Sequence, residues 1–293
     1  MRCVRSILIV SLVTAVPTLS GCSLANLFTA EEEVEESFDV AGVPQVVVNT
    51  FNGQIDVTTG SGDTVLATVT KRGSGSSQEA ADADLDNIEV DMSREGNKIR
   101  ITARSRDQKI MGNRGARVKL EVPTGSVLDL HTTNGKVTAI GEMGDVAVHS
   151  SNGAIQVKGS KGKLNLDTSN GSITAEGGQG RADLNTSNGS IECKAKEALV
   201  TAHTSNGNIR FAGTLAAGDH SLESSNGRIV LTLPADARFR LDAQTSNGKV
   251  SNAFSLSKTE AVSKNRVRGT IGENPAATVK LHTSNGHIEI SQE

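Results

Sequence analysis

The chain lacks tryptophan and tyrosine altogether, and its only aromatic rings besides histidine are those of six phenylalanines. Carbohydrate and aromatic ligands are commonly bound by amphipathic aromatic rings, and ligand pockets are rich in them. The sequence also lacks a His-Glu-x-x-His motif, a glycine-rich phosphate loop, and the acidic pairs that glycoside cleavage needs. These absences predict a protein that is not an enzyme and has no cofactor. A polysaccharide-active β-helix enzyme is the alternative function.

Cysteines and basic stretches are also scarce. Three cysteines cannot build a disulfide framework, so stability must come from packing. Because Arg2 and Arg5 fall within a predicted signal peptide, 28 basic residues remain against 33 acidic ones, a net charge of −5. An acidic chain without a basic stretch argues against nucleic-acid binding.

What the sequence does contain is a repeat built on Thr-Ser-Asn-Gly. The first five regular Asn-Gly pairs are spaced 18 residues apart, later pairs drift slightly, and an outlying copy stands at Asn52. A fixed period of this length is typical of a solenoid, in which each repeat is one coil stacked on its neighbours. The regular copies are at Asn134, Asn152, Asn170, Asn188, Asn206, Asn226, Asn247 and Asn285.

Apolar and polar residues alternate on both sides of each Asn-Gly pair, as in strands with one buried face. Asn-Gly between such runs usually indicates a β-hairpin, but a row of hairpins would not need the same turn in the same phase. We therefore predict an all-β, single-domain parallel β-solenoid with ~18-residue coils and a short helix near its N-terminal end. In this coil Asn and Gly supply a positive φ at one corner, and a second corner follows near Gly141, Gly159 or Gly177.

Three columns of this coil carry specific predictions. The eight Asn side chains should form a structural ladder along the stack. The Thr or Ser two residues before each Asn should point inward and satisfy its hydroxyl from coil to coil. Cys193 stands in an apolar column, so we interpret it as a core residue rather than a nucleophile.

The stack also predicts domain limits. Residues 1–21 form a lipoprotein signal peptide, 22–37 an acidic tether, and 38–293 the solenoid. Within the solenoid we expect irregular coils over 38–126, regular coils over 127–253, an insertion over 254–278 and a last coil over 279–293. The insertion and a helix over 80–87 should cap the two ends of the stack against further pairing.

The N-terminal residues contain a predicted targeting signal. Arg2 and Arg5 precede an apolar run that ends at Leu19-Ser20-Gly21-Cys22, which resembles the lipobox of bacterial lipoproteins. Cys22 is therefore the predicted lipid-attachment residue, and the membrane is the predicted partner of that lipid. Ser23 follows the cysteine where Asp usually marks inner-membrane retention, which favours the outer membrane.

One outward column could bind a metal. The position three residues before Asn holds four of the chain's six histidines. His131, His149 and Asp167 would lie on consecutive strands, within reach of one transition-metal ion. The simpler interpretation, which we prefer, is an exposed polar stripe that binds no metal.

The pattern resembles the toast-rack family of bacterial cell-envelope β-solenoid proteins, also labelled "putative adhesins". The matching residues are the repeat array from Thr132 to Gly286, the Asp-Asn-Ile-Glu-Val stretch at 86–90 and the Val-Pro-Thr-Gly-Ser entry at 122–126. The resemblance implies a solenoid but supplies no catalytic residues. With the lipobox it implies an envelope scaffold or binding module, adhesin-like or envelope-sensing, whose partner is an envelope protein or a glycan.

Overall fold

The computed structural model describes residues 28–107 and 114–293, and most of this chain is β-strand. The lipobox and Cys22 therefore lie outside the described residues. The chain divides into two compact units, residues 1–138 and 139–293. The boundary falls within one short strand, β9 (Val137–Ile140).

The described part of unit 1 contains one helix and eight further strands. They are β1 (Phe28–Asp39), β2 (Gln45–Asn52), β3 (Ile55–Gly60), β4 (Thr64–Gly75), α1 (Gln78–Leu85), β5 (Ile88–Glu95), β6 (Lys98–Ser105), β7 (Gly115–Pro123) and β8 (Val127–Asn134).

These strands form two sheets whose spatial order differs from the chain order. In one sheet β2 lies between β6 and β8 in parallel, and β5 pairs antiparallel with β6. In the other, β3 is parallel to β7, while β4 and then β1 add antiparallel strands. Asn52 is consequently the register partner of Asn134, although 82 residues separate them. The copy that looks outlying in sequence is an ordinary neighbour in space.

The predicted acidic tether over 22–37 is wrong for residues 28–37, which belong to β1. Lys71 Nζ on β4 lies 3.0 Å from Glu32 Oε2, and Arg72 lies 3.9 Å from Glu31. Basic side chains opposite the acidic run thus remove the repulsion that would have extended it. Ala30 and Phe38 on the same strand are buried. Phe28, Ala30, Val34 and Phe38 recur at even positions, and this period-2 pattern could have revealed the strand.

The predicted short helix is confirmed as α1, two residues earlier than expected. Ser77 is its N-cap, and its hydroxyl accepts the Ala80 N–H at 3.2 Å. The helix packs on β4 and β1, where a Cβ on Gly73 would lie 2.4 Å from the Ala81 carbonyl oxygen. The outermost strands of the two sheets are the antiparallel β1 and β5, so the expected edge cap is made by strands as well as by the helix.

Unit 2 is built from fifteen strands. They are β10 (Val146–Asn152), β11 (Ile155–Ser160), β12 (Leu164–Asn170), β13 (Ile173–Gly177), β14 (Gly180–Asn188), β15 (Ile191–Asn206), β16 (Ile209–Leu215), β17 (Gly218–Asn226), β18 (Ile229–Leu233), β19 (Phe239–Asn247), β20 (Val250–Asn252), β21 (Lys258–Ser263), β22 (Arg266–Ile271), β23 (Ala277–Asn285) and β24 (Ile288–Gln292).

Two parallel sheets run through unit 2, one on each side of the Asn-Gly corner. Strands that end at Asn form the first sheet, in the order β10, β12, β14, β15, β17, β23, β19. Strands that follow Gly form the second, in the order β11, β13, β15, β16, β18, β24, β20. The long strand β15 belongs to both sheets, because it begins after one Asn-Gly pair and ends at the next. The two strands flanking an Asn-Gly pair lie in different sheets, so the parallel β-solenoid prediction is confirmed and the hairpin is excluded here.

The last coil of the chain is not the last coil of the stack. β23 lies between β17 and β19, and β24 lies between β18 and β20. The insertion over 254–278 supplies the hairpin β21–β22, and β22 pairs antiparallel with β19. The insertion therefore caps β19 as expected, but the coil predicted over 279–293 sits inside the stack rather than at its end.

The core of unit 2 follows the alternation read from the sequence. Residues six and four before Asn are buried on the first sheet, and residues three and five after Asn are buried on the second, except for the half-buried Asn252. Phe211 and Phe239 are the largest fully buried side chains of unit 2, each about 1 % exposed or less. Phe239 also meets Phe254 edge to face, with ring centroids 5.4 Å apart.

Candidate functional site

The Asn ladder exists as predicted and runs through unit 2 in spatial order. Each Asn Nδ2 donates to the Oδ1 of the next Asn, at 2.8–3.0 Å, from Asn247 through Asn285, Asn226, Asn206, Asn188 and Asn170 to Asn152. In unit 1, Asn134 donates to Asn52 at 2.5 Å, and Asn52 donates to the Arg114 carbonyl at 3.2 Å. Asn52 is thus a full member of a ladder rather than an isolated copy.

The inward Thr/Ser column is buried as predicted, but its hydroxyls bond to a different partner. Each hydroxyl donates to the carbonyl oxygen of a corner glycine in the neighbouring coil, as Thr186 does to Gly171 at 2.9 Å and Thr204 to Gly189 at 2.9 Å. The same bond recurs at Thr132, Thr168, Ser224, Thr245 and Thr283. Within the described residues there are two exceptions: the Thr50 hydroxyl donates to the Ala116 carbonyl at 2.9 Å, and the buried Ser150 hydroxyl has no partner.

The corner glycines are needed for a reason other than the predicted positive φ. None of them adopts the left-handed region, which is found instead at the second corner, at Gly141, Gly159 and Gly177. A Cβ on Gly189 would lie 2.0 Å from the carbonyl oxygen of Gly171. The corner glycine is therefore required by the close approach of stacked backbones.

A column of serines lies directly beside the ladder. In every coil of unit 2 the residue before Asn is serine, and none of these serines is buried. Parallel register places their hydroxyls in a row about 4.8 Å apart. We call this column with the adjoining ladder the serine face; its serines are Ser151, Ser169, Ser187, Ser205, Ser225, Ser284 and Ser246.

Two histidines of the stripe lie beside aspartates. His131 Nε2 lies 2.7 Å from Asp129 on its own strand, and His149 Nδ1 lies 3.4 Å from Asp167. Among the residues that the structure describes, no group of three or more His, Cys, Asp or Glu side chains could hold a metal ion. This finding gives no support to the alternative in which His131, His149 and Asp167 share one metal ion.

Further along the stripe, Lys280 neutralises the charge of Glu223. Glu223 Oε1 accepts hydrogen bonds from Lys280 Nζ at 2.7 Å and from Ser221 at 2.9 Å. The hydrogen bond from Lys280 lowers the pKa of Glu223 below its ordinary value, although burial opposes the shift. Glu223 is thus held as a carboxylate in an ion pair, which is unsuited to general-acid catalysis at neutral pH.

Cys193 is confirmed as a core residue. Its side chain is 1 % exposed, and burial raises the pKa of its thiol to about 12. A thiol in this environment stays protonated at neutral pH and is a poor nucleophile.

Sequence reasoning missed a groove at the second corner of unit 2. Its volume is ≈ 530 Å³, and its small-residue floor includes Gly177, Ala195 and Gly213. Glu176 on its wall is paired with Lys158 at 3.2 Å and Lys194 at 3.9 Å. Small residues at equivalent places in successive coils were the available signal for this groove.

A stack of parallel coils with an Asn ladder at one corner defines a β-solenoid protein. The family model described as Toastrack DUF4097 matches residues 43–291. The chain therefore belongs to this toast-rack family, as the repeat array and the Asp-Asn-Ile-Glu-Val stretch indicated.

Three crystal structures are similar at low identity. A "putative adhesin" of Bacteroides fragilis is 12% identical with a TM-score of 0.43, covering 88% of this chain and 97% of that one. A "putative adhesin" of Parabacteroides distasonis is 12% identical with a TM-score of 0.39 and the same coverages. A "putative cell adhesion protein" of Clostridium sporogenes is 11% identical with a TM-score of 0.25, covering 89% and 100%. None of the curated proteins compared with the chain matches it. Over the described residues, no helix has the length and apolar character needed to cross a bilayer.

Proposed function

We propose that this protein is a lipid-anchored, non-catalytic binding module of the bacterial cell envelope, adhesin-like in action. Its lipid would be carried by Cys22 and inserted in the outer membrane. Its partner would be an envelope protein or a glycan, bound through the serine face.

The observation that supports this proposal is the regularity of the serine face. Hydroxyl and amide groups both donate and accept hydrogen bonds, and here they recur at about 4.8 Å along a rigid backbone. The ladder bonds hold the Asn amides in one orientation, so little side-chain entropy is lost when a partner binds. A repetitive partner can then gain many equivalent weak contacts at once.

Binding through this face can be tested with the full lipidated chain purified in detergent. Retention on immobilised outer-membrane vesicles and on peptidoglycan sacculi should be saturable. The double variant Ser169→Arg with Ser205→Arg places two bulky charges on the serine face and should abolish retention. Thr174→Arg with Ala212→Arg adds the same charge on the outer side of the second sheet and should leave retention intact.

Two results would contradict binding through the serine face. One is the absence of saturable retention by the unsubstituted chain on either material. The other is an equal loss of retention in the two double variants.

Lipid attachment can be tested separately by labelling cells with radioactive palmitate. The full chain should carry label, and Cys22→Ala should remove it, because acyl transfer to a lipobox requires the cysteine thiol. Cys193→Ala is the matched control and should retain the label. Label that survives Cys22→Ala would show that the lipobox interpretation is wrong.

A further inference from the structure

Three basic residues that are scattered in the sequence become neighbours in the stack. Arg228, His287 and Lys249 each directly follow a corner glycine, and each precedes a core residue of the second sheet. The register Ile229–Ile288–Val250 places them on three consecutive coils, with His287 in the middle. Adjacent members are about 4.8 Å apart along the stack. The sequence order 228, 249, 287 hides this row, because the final coil is inserted between two earlier ones.

The same column is uncharged in the preceding coils of unit 2. There it holds Ala154, Ser172, Ser190 and Asn208, and it becomes basic only over the last three coils. Arg228, His287 and Lys249 are all exposed. They line a surface cavity of ≈ 320 Å³ together with Ser251, Ile288 and Glu289. A concentrated basic site is unusual on a chain whose formal net charge is −3.

Hydrogen bonding fixes the orientation of the central imidazole. The Lys249 backbone N–H donates to His287 Nδ1 at 3.0 Å, so Nδ1 acts as an acceptor and Nε2 is left as the N–H donor. One coil away the same backbone bond is made without histidine, since the Arg228 N–H donates to Asn208 Oδ1 at 2.8 Å. An asparagine therefore satisfies the backbone at this position, and histidine differs in placing its Nε2 donor further out than an asparagine amide reaches.

The flanking residues complete a set of three donors. Arg228 and Lys249 have long side chains on either side of the shorter His287, so both can converge on the space above the imidazole. Glu289 lies 4.0 Å from Arg228 Nη1 at the edge of the cavity, and its charge would oppose a bound anion. Arg and Lys form strong charge-assisted hydrogen bonds with phosphate oxygens.

We infer that Arg228, His287 and Lys249 form a binding site for a phosphoryl group, with one donor for each of three phosphate oxygens. A carboxylate offers only two oxygens and fits three donors less well. The site lies on the opposite side of the corner from the serine face and does not depend on binding through that face. Either site can exist without the other.

Phosphate binding is tested by calorimetric titration of the full lipidated chain in detergent, at low and at higher salt. Inorganic phosphate, glycerol phosphate, a phosphodiester and acetate are compared as probes. Saturable one-site binding of phosphate that weakens with salt is expected. His287→Asn keeps an acceptor for the Lys249 N–H and replaces the Nε2 donor by the amide of a shorter side chain, which reaches less far over the cavity. It should therefore weaken phosphate binding by roughly tenfold with no change in thermal midpoint. Arg228→Gln should act likewise, and Glu289→Gln should tighten binding.

Lys163→Gln removes one exposed charge elsewhere in unit 2 and should leave phosphate affinity unchanged. Preference for inorganic phosphate or glycerol phosphate over the phosphodiester supports a site with three donors for a terminal phosphoryl group, because a phosphodiester has only two non-bridging oxygens. Equal affinity for the phosphodiester would contradict the three-oxygen arrangement. No saturable binding, tighter binding of acetate than of phosphate, or equal losses in Lys163→Gln and His287→Asn would overturn it.

Discussion

The corner asparagine carries three kinds of bond at once. In the middle of unit 2, Asn188 donates through Nδ2 to Asn170 and accepts at Oδ1 from Asn206. Its backbone carbonyl accepts the Gly171 N–H at 3.2 Å. Hydrogen bonds that link neighbouring amides in a row polarise one another, so an interior member contributes more than a terminal one.

Removing an interior ladder amide should therefore cost more than removing the terminal one. Asn188→Ala loses two side-chain bonds, and a destabilisation of about 1–3 kcal/mol is expected. Asn247→Ala loses one side-chain bond, the one to Asn285, and should cost less. Urea unfolding midpoints of the two variants measure the difference, and identical midpoints would show that the ladder bonds add nothing.

Corner glycines should tolerate substitution even less. In Gly189→Ala the new methyl group would lie 2.0 Å from the Gly171 carbonyl oxygen, and a backbone atom cannot move aside cheaply. We expect a loss of about 3 kcal/mol or more, because relieving the overlap must separate two coils. Gly62→Ala is the control, since nothing lies within 4 Å of its Cβ and its φ is not in the left-handed region. Similar thermal midpoints for the two variants would contradict the close-approach explanation.

The sequence predicts a residue's environment well where equivalent residues of adjacent coils lie side by side. The Asn ladder, the buried Thr/Ser column and the core position of Cys193 all follow from repetition and alternation. The hydroxyl partner and the role of the corner glycine do not, because both depend on how closely two backbones approach. The row of Arg228, His287 and Lys249 depends on coil order, which repetition alone does not specify.

At the scale of elements, a buried ion pair in unit 1 links α1 to the residue that precedes β7. Arg114 precedes β7, and its guanidinium donates to both oxygens of Asp84 on α1, through Nε at 3.1 Å and through Nη2. Asp84 also accepts the Ser74 N–H of β4 at 3.0 Å. Burial alone would raise the pKa of Asp84, but the hydrogen bonds from Arg114, Ser74 and Asn87 lower it below its ordinary value.

Breaking this pair should destabilise unit 1. Asp84→Asn leaves the buried Arg114 with only the exposed Asp107 carboxylate, which lies 3.4 Å from Nη1. A loss towards the lower end of about 3–5 kcal/mol at neutral pH is expected. Because the folded-state pKa of Asp84 is lowered, its contribution is complete above the ordinary Asp pKa and is lost as pH falls through the lowered value. The stability gap between Asp84→Asn and the unsubstituted chain should therefore narrow below about pH 4.

Equilibrium unfolding between neutral and acidic pH measures this gap. The control is Glu89→Gln, which removes a carboxylate from an exposed pair with Arg104 and should have little effect at any pH. A gap for Asp84→Asn that stays constant down to acidic pH would show that Asp84 ionisation is not linked to folding.

The element that the sequence misassigned is also instructive. A run of glutamates indicated a solvated tether, but the charges of Lys71 and Arg72 lie opposite them on β4. Pairing with β4, which is distant in the sequence, offsets the repulsion between neighbouring glutamates. No local sequence pattern specifies that pairing. The helix α1, by contrast, was predictable because Ser77 and the residues it caps are adjacent in the chain.

At the scale of the whole molecule, chain order and stacking order differ near both ends of the repeat array. In unit 1 the β2 coil lies between β6 and β8, and in unit 2 the β23 coil lies between β17 and β19. Identical corners make every coil a compatible neighbour of every other, so the Thr-Ser-Asn-Gly motif does not decide the order. The connections between coils determine the order. In unit 2 the hairpin β21–β22 pairs with β19 and precedes the last coil of the chain.

The stacking order of unit 2 can be tested with engineered disulfides in a chain whose Cys193 is replaced by alanine. Adjacent strands bring equivalent positions to about 4.8 Å, within the Cα separation that a disulfide spans, whereas positions two coils apart are about 10 Å away and cannot be joined. Ser225→Cys with Ser284→Cys should therefore oxidise readily, and so should Ser246→Cys with Ser284→Cys. Ser225→Cys with Ser246→Cys should remain reduced, although these two serines belong to consecutive repeats of the sequence. Peptide mapping of the oxidised variants by mass spectrometry identifies the cross-links. A disulfide between positions 225 and 246, with none to position 284, would show that the coils stack in chain order and that the basic row of Arg228, His287 and Lys249 is not assembled.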